Sequence, residues 1–194
     1  MTRSRCRAAF AFIVIAIAAC APVAARLSGT ELGRGDAPDF TLSDGITGDA
    51  VTLSSLRGSV VALAFLYTRC PDVCPLTAAK FRAAQTQLGS DASHVRFIAV
   101  SVDPEGDTPA AVQAFSDAHD LKDNWRYLIG SRAALAAVWS AYGVGAFAAP
   151  TGTNVDHNDA VYIIDAKGRE REVVHSDIAL KDFVADVRLL LAER

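Results

Sequence analysis

Two cysteines have the type and spacing of chemically reactive residues. Cys70 and Cys74 enclose Pro71-Asp72-Val73 and are followed by Pro75. Positions i and i+4 in helical or turn-like geometry lie roughly 5–6 Å apart. That separation permits either a disulfide or shared coordination of one ion. Because a helix is predicted to begin here, and a helix N-terminus favours thiolate over thiol, we expect a reactive pair.

Two structural explanations compete with this chemical one. The pair could form a permanent disulfide, or it could be two unrelated buried cysteines. A bridge that closes so short a loop constrains the unfolded chain little, so stabilisation alone explains the placement weakly. The other cysteines, Cys6 and Cys20, lie in the predicted leader, and Met1 is the sole methionine. A soft-metal site in the folded domain must therefore use Cys70 and Cys74.

Nitrogen ligands are available from four histidines: His94, His119, His157 and His175. From the residues alone, each is explained by a surface or hydrogen-bonded position. His119 is expected to end a helix, where a cation is favourable. His157 differs because it lies in a long predicted loop, residues 143–159, which can swing towards the cysteines.

Hydrophobic patterning indicates the elements that position these residues. The predicted strands are residues 40–42, 50–53, 60–67, 95–102, 127–129, 160–164 and 170–175. The predicted helices are residues 76–88, 109–118, 131–142 and 178–192. This order indicates an α/β domain and suits a thioredoxin-like mixed sheet flanked by helices, opened by an N-terminal β-hairpin. Pro75 suits the first position of the helix that follows the cysteines.

The first 25 residues are predicted to be a signal peptide, lipoprotein leader or membrane anchor. Their arginines precede an apolar run over residues 8–19, which is too short for a comfortable bilayer span and suits a secretory signal. Ile17-Ala18-Ala19-Cys20 resembles a bacterial lipoprotein signal, in which Cys20 receives the lipid. Cleavage near residues 23–25 and an uncleaved anchor are the alternatives. Each exports the domain, and lipid or an N-terminal anchor would hold it at the periplasmic side of a bacterial membrane.

The rest of the chain is predicted to be a short tether and one domain. Residues 26–36 are polar and contain glycines, which indicates a tether, and residues 37–194 have the length of a single domain. The sequence has 19 basic and 22 acidic residues and a formal net charge of −3. A mildly acidic domain without a basic stripe is a poor candidate for nucleic acid, so we expect no nucleic-acid partner.

Three sequence blocks resemble the SCO/SenC family of copper chaperones. Residues 65–75 (FLYTRCPDVCP) are similar to the family's CPxxCP-type signature. Residues 101–105 with Asp107-Thr108-Pro109 match its second block, and Val155-Asp156-His157 matches its third. The blocks keep the family's order and spacing from about residue 36 to the C-terminus. Asn158 departs from the pattern, because the family usually has Ser or Thr there. Asparagine can still hydrogen-bond and occupy a turn, so we expect the histidine ligand to be kept with a different supporting hydrogen bond.

The resemblance implies that Cys70, Cys74 and His157 bind copper and that the two cysteines are also a redox-active pair. Two thiolates and one imidazole are a soft, low-coordinate ligand set that suits Cu(I), with Cu(II) as the alternative state. The family's recipient is the dinuclear copper centre of cytochrome c oxidase subunit II. The protein would deliver copper to it, reduce its cysteines, or both. Other copper chaperones or thiol–disulfide reductants are further implied partners.

The main alternative is a metal-independent thiol–disulfide oxidoreductase that uses Cys70 and Cys74. Its usual motif has two intervening residues rather than three, and it does not need His157. A thiol peroxidase is a weaker alternative, and a structural zinc site would normally show a fourth protein ligand. Asp72 is expected to attract cations or to favour the helix N-terminus. Asp156 is expected to orient His157 or to contact oxidised copper.

Overall fold

The computed structural model describes residues 26–121, 123–145, 147–148, 155–156 and 159–194. The strands are β1 (Thr30–Glu31), β2 (Thr41–Asp44), β3 (Ala50–Thr52), β4 (Val60–Leu66), β5 (Val95–Ser101), β6 (Trp125–Ile129), β7 (Phe147–Ala148), β8 (Val155–Asp156), β9 (Val161–Ile164) and β10 (Glu170–Val174). The helices are α1 (Val73–Leu88), α2 (Pro109–Ala118), α3 (Arg132–Ala141) and α4 (Leu180–Ala192). Short 3₁₀ helices cover Leu53–Leu56 and Gly89–His94. Within the described ranges, every helix is too short or too polar to cross a membrane.

Eight strands form one mixed sheet in the order β1-β10-β9-β4-β5-β6-β2-β3. The central strands β4, β5 and β6 run parallel, and the outer strands pair antiparallel. All seven residues of β4 are buried, as expected for an apolar strand covered on both faces. The predicted N-terminal hairpin is confirmed as β2 and β3, which extend the sheet beyond β6.

One face of the sheet is covered by α1, α2 and α4. The ring centroid of Phe81 in α1 lies 5.0 Å from that of Phe97 in β5 and 6.1 Å from that of Phe183 in α4. Trp125 of β6 is in register with Phe97, and its indole N–H donates to the Ser116 hydroxyl of α2 at 3.0 Å. These contacts bring the three helices to the same side of the central strands.

The opposite face is covered by α3. Phe65 of β4 is in register with Val100, an odd number of residues from Phe97 along β5, so its side chain points away from α1. The Phe65 ring lies 5.6 Å from the ring of Tyr142, which directly follows α3. The predicted mixed sheet with helices on both faces is therefore confirmed.

The structure differs from the prediction at three places. Within the predicted tether, residues 26–36, Thr30 and Glu31 form β1 and pair with β10. Helix α1 begins at Val73, so Pro75 is its third residue rather than its first. The predicted loop at residues 143–159 contains a short antiparallel ribbon, in which β7 pairs with β8.

Candidate metal centre

Cys70 and Cys74 lie where β4 passes into α1. Cys74 is the second residue of the helix and is fully buried, whereas Cys70 lies in the preceding turn with 8% of its surface exposed. The backbone N–H of Cys70 donates to the Tyr67 carbonyl at 3.2 Å, which closes this turn. Both cysteines are free, and their side chains are hydrogen-bonded to each other. The predicted pairing of these residues at the helix start is present, without a disulfide.

Burial controls the acidity of Cys74. Removal from water raises the pKa of the Cys74 thiol well above its ordinary value, and the hydrogen bond with Cys70 raises this pKa further. The negative charge of Asp107 acts in the same direction. At Cys74, burial therefore acts against the thiolate that the helix N-terminus was expected to favour. Cys74 therefore keeps its proton until a cation or an oxidant takes its place.

A second loop packs against the cysteine turn. Strands β4 and β5 are parallel, so the turn after β4 and the loop after β5 leave the same edge of the sheet. Asp107, in the loop after β5, accepts hydrogen bonds from the backbone N–H and the hydroxyl of Thr68, both at 2.8 Å. Thr108 caps α2 by accepting from the Ala111 N–H, and Pro109 is the first helical residue, where the predicted helix of residues 109–118 begins. The role of Asp107 was not predicted.

Arg69 and Asp103 join the same two loops at the surface. The Arg69 guanidinium lies 2.6 Å from the Asp103 carboxylate, and this contact holds the pKa of Arg69 above its ordinary value. Gly106 makes the close approach possible. A Cβ built on Gly106 would lie 2.1 Å from Asp103 Oδ2 and 2.5 Å from Arg69 Nη2. The cysteine turn is thus held by an inner contact at Thr68 and an outer contact at Arg69.

The other predicted site residues fall in different places. Asp72 precedes α1, is exposed, and makes no side-chain capping hydrogen bond. His94 ends a 3₁₀ helix, and His119 directly follows α2, where its ring lies 4.6 Å from that of Phe115. His175 contacts the backbone carbonyl of Asp159.

Several predicted residues lie outside the part of the chain that is described. His157 and Cys20 are outside the described residues, and for Asp156 the description covers the pairing of β8 but not the side chain. Within the described ranges, no group of three His, Cys, Asp or Glu residues is arranged to hold a metal ion. The two cysteines are therefore the described part of the predicted metal centre.

The fold and the paired thiols define the class of protein. A mixed sheet with helices on both faces and two thiols at the start of the first crossover helix is a thioredoxin-like arrangement. The SCO1/SenC family model matches residues 33–192, and the chain belongs to this family.

Individual relatives agree with this assignment. The mitochondrial SCO2 homolog of Bos taurus is 32% identical over 143 residues, covering 71% of this chain and 52% of that protein. The chain thus spans about half of that relative's length. The copper-bound structure of Bradyrhizobium japonicum ScoI is 33% identical, with a TM-score of 0.73 over 81% of this chain and 100% of that one. BsSco, described as a Sco-family cytochrome c oxidase assembly protein with a disulfide switch, is 26% identical, with a TM-score of 0.70 over 83% of this chain and 96% of that one.

Proposed function

We propose that this protein is a copper chaperone that holds Cu(I) through Cys70, Cys74 and His157. The observation that carries the proposal is the pair of buried, mutually hydrogen-bonded thiols at the start of α1. The chain shares its fold with ScoI, a relative whose structure contains copper. Sulfur ligands in a buried pocket select a soft monovalent ion over harder divalent ions.

Copper binding at this site requires that the thiols lose their protons. The raised pKa of Cys74 means that a proton competes with the metal, so affinity increases with pH. Copper also competes with oxidation, because a disulfide has no thiolate to offer. The dithiol pair therefore accepts copper and the disulfide form does not, which makes loading dependent on redox state.

The sheet register supports His157 as the third ligand. Val161 of β9 pairs with Ala64 of β4, antiparallel. His157 is four residues before Val161, and Cys70 is six residues after Ala64. The chain segments that carry these two residues therefore extend from the same end of the β4–β9 pair.

The proposed recipient is the dinuclear copper centre of cytochrome c oxidase subunit II. A three-ligand site leaves one face of the copper open, where a thiolate of the recipient can attack. Support for an oxidase comes from membership of the SCO1/SenC family and from BsSco, a relative described as an oxidase assembly protein. Reduction of the recipient's cysteines by the Cys70–Cys74 dithiol is a second proposed contribution, and other copper chaperones or thiol–disulfide reductants would supply copper or electrons.

We further propose that the domain works outside the cytoplasm, tethered to a membrane. The support is the leader sequence, in which Cys20 is the proposed lipidation site. Acyl chains contribute about 0.8 kcal/mol for each buried methylene, so stable attachment needs more than one chain. Radiolabelled palmitate incorporation by the full chain, compared with Cys20→Ala, tests this attachment.

A metal-independent thiol–disulfide oxidoreductase is the second candidate. It is favoured by the hydrogen bond between the Cys70 and Cys74 side chains, because sulfurs in contact can form a disulfide with little movement of the chain. This function would use the same cysteines and would be indifferent to His157.

A Cu(I) titration separates the two candidates. The reduced protein competes with a chromophoric Cu(I) chelator, and X-ray absorption reports the sulfur and nitrogen ligands of the bound copper. We expect one Cu(I) per chain, its loss in Cys70→Ser and Cys74→Ser, and a weaker site without the nitrogen ligand in His157→Ala. His94→Ala is the matched control, since it removes an exposed histidine. Unchanged affinity and ligation in His157→Ala would exclude this histidine as a ligand, and absence of Cu(I) binding by the wild type would favour the oxidoreductase.

A further inference from the structure

The carboxylate of Asp107 is buried directly beneath the cysteine turn. Only 3% of the residue is exposed, yet the carboxylate accepts four hydrogen bonds. A buried carboxylate is costly unless its oxygens are well hydrogen-bonded, and hydrogen bonds to an ionised acceptor are stronger than neutral ones. Four hydrogen bonds from three residues therefore stabilise this carboxylate in its buried position.

The two oxygens of Asp107 bind different parts of the molecule. Oδ1 accepts both hydrogen bonds from Thr68, in the turn that leads to Cys70. Oδ2 accepts from the Ser101 hydroxyl at 2.6 Å and from the Tyr127 hydroxyl at 2.9 Å. Ser101 ends β5 and Tyr127 lies in β6, so this oxygen is attached to the sheet. One carboxylate thus bridges the cysteine turn and the ends of two central strands.

This bridge fixes the part of the turn that determines where Cys70 lies. Thr68 is two residues before Cys70, and between them only Arg69 intervenes, which is itself paired with Asp103. Cys74 has a separate support, because it belongs to α1 and is buried in the core. The separation of the two sulfurs therefore depends on how the Thr68–Cys70 turn is held against the sheet.

We propose that Asp107 is a positioning residue that ties Thr68 to the sheet and thereby fixes Cys70 relative to Cys74. The inference deepens the proposed function, on which its copper readout rests. A turn held in this way presents two sulfurs at a constant separation, so neither copper binding nor disulfide formation has to order the turn first.

Substitutions of Thr68 test the proposal without placing a new group in the core. Thr68→Val removes the hydroxyl donor but keeps the shape of the side chain and the backbone N–H donor. Thr68→Ser keeps both donors. Tyr127→Phe is the matched control, because it removes one hydroxyl donor from the same carboxylate on the sheet side, where Ser101 still holds Oδ2.

Two measurements are made on each reduced, folded variant. One is Cu(I) affinity by chelator competition. The other needs no metal: it is the equilibrium of the dithiol with glutathione disulfide, in which one Cys70–Cys74 disulfide and two glutathione thiols form, and two electrons and two protons pass to glutathione. Chemical denaturation records the stability of each variant separately.

Loss of the Thr68 hydroxyl should weaken both properties of the pair. We expect Thr68→Val to lower Cu(I) affinity about 10-fold, at the lower end of the range for residues that orient metal ligands. Its disulfide equilibrium constant should fall about 5-fold, because a looser turn lowers the effective concentration of one thiol at the other. Thr68→Ser and Tyr127→Phe should stay within about 2-fold of wild type in both measurements, although both lose stability.

The outcomes separate this inference from the proposed function. Wild-type values for Thr68→Val overturn the positioning role. A loss in Thr68→Ser as large as that in Thr68→Val overturns it as well, since Thr68→Ser keeps both donors to Asp107 and the loss would indicate a general loosening. If the wild type does not bind Cu(I), the proposed function fails, and the glutathione equilibrium alone decides the role of Asp107.

Discussion

The carboxylate of Asp159 is bonded twice to Ser176. Asp159 Oδ2 accepts from the Ser176 backbone N–H at 2.9 Å and from its hydroxyl at 2.5 Å. Lys80 of α1 donates to the carbonyls of Ser176 and Ile178, in the turn between β10 and α4. Asp159 is therefore attached, through this turn, to the helix that begins beside the cysteines. Since two residues span at most about 7 Å, this attachment limits how far a residue two positions earlier can move.

We expect Asp159→Ala to lower Cu(I) affinity about 10-fold, because His157 is two residues before this anchor and would bind copper from a less ordered segment. Chelator competition on the reduced protein measures the effect. Asp177→Ala is the control, since Asp177 is an exposed carboxylate in the same turn and also lies near Lys80. Equal affinities for the wild type and Asp159→Ala would show that the anchor does not serve the metal site.

The raised pKa of Cys74 predicts slow alkylation. Only the thiolate reacts, so a buried thiol whose pKa is above its ordinary value is mostly unreactive near neutral pH. In Cys70→Ser, which leaves Cys74 as the one thiol of the domain, we expect iodoacetamide to react more than about 10-fold slower at pH 8 than with a free cysteine of pKa near 8.5. The rate should still rise with pH at pH 9.

The same variant unfolded in guanidinium is the control for this measurement. Unfolding exposes the thiol and should restore the ordinary rate. A native rate that levels off below about pH 8 would mean that the helix N-terminus outweighs burial after all. Mass spectrometry of the alkylated chain after timed quenching gives both rates.

Much of the fold was predictable because its signals are local. The apolar run of β4 indicates a strand covered on both faces, and Thr108 with Pro109 indicates the start of α2. Strand β1 has no such signal, since it consists of two exposed residues. The residues just before it are held by the carboxylates of Glu172 and Asp186, which lie 143 and 158 residues away in the sequence. Contacts of that range depend on the finished fold.

The site was predictable in its residues and less so in its energetics. The spacing of Cys70 and Cys74 indicates a pair, but the direction of the Cys74 pKa depends on the depth of burial, which only the packed structure reveals. Asp107 has the sequence appearance of a helix-start residue, whereas its side chain turns back to Thr68. The roles of His157, Asp156 and Cys20 stay predictions.

The aromatic side chains under α1 carry much of the packing between the helices and the sheet. Phe81 is 1% exposed, and its ring contacts those of Phe97, Trp125 and Phe183. We expect Phe81→Ala to lower the free energy of unfolding by about 3–5 kcal/mol, through lost burial and the cavity left behind. Leu76→Ala, at a position of the same helix that is 56% exposed, should change it by about 0.5 kcal/mol or less. Urea denaturation followed by far-UV circular dichroism measures both, and similar losses would show that Phe81 does not anchor α1.

Glu172 makes the stability of the protein depend on pH. The residue is fully buried, its Oε2 accepts from the Gly29 backbone N–H at 2.9 Å, and its Oε1 has no hydrogen-bond partner among the described residues. Burial raises the pKa of Glu172 from 4.5 to about 7, and the nearby charge of Asp186 adds to this. Burial also raises the pKa of Asp186, which accepts from the Ser28 N–H and hydroxyl. Both carboxyl groups therefore bind protons more tightly in the folded state than in the unfolded chain.

The sign of the pH effect follows from the raised pKa. Between pH 4.5 and about pH 7 the folded state retains a proton that the unfolded chain has lost, so the free energy of unfolding decreases as pH rises and levels off above that interval. A pKa shift of this size corresponds to about 3 kcal/mol in the free energy of unfolding.

Glu172→Gln cannot ionise and should lose most of this pH dependence, so it should be more stable than wild type at pH 8. Glu105→Gln, which removes an exposed carboxylate, should keep the wild-type slope. Urea denaturation from pH 5 to pH 8 measures the free energy of unfolding of all three proteins. If its slope with pH were unchanged in Glu172→Gln, a group other than Glu172 would be the one that retains the proton.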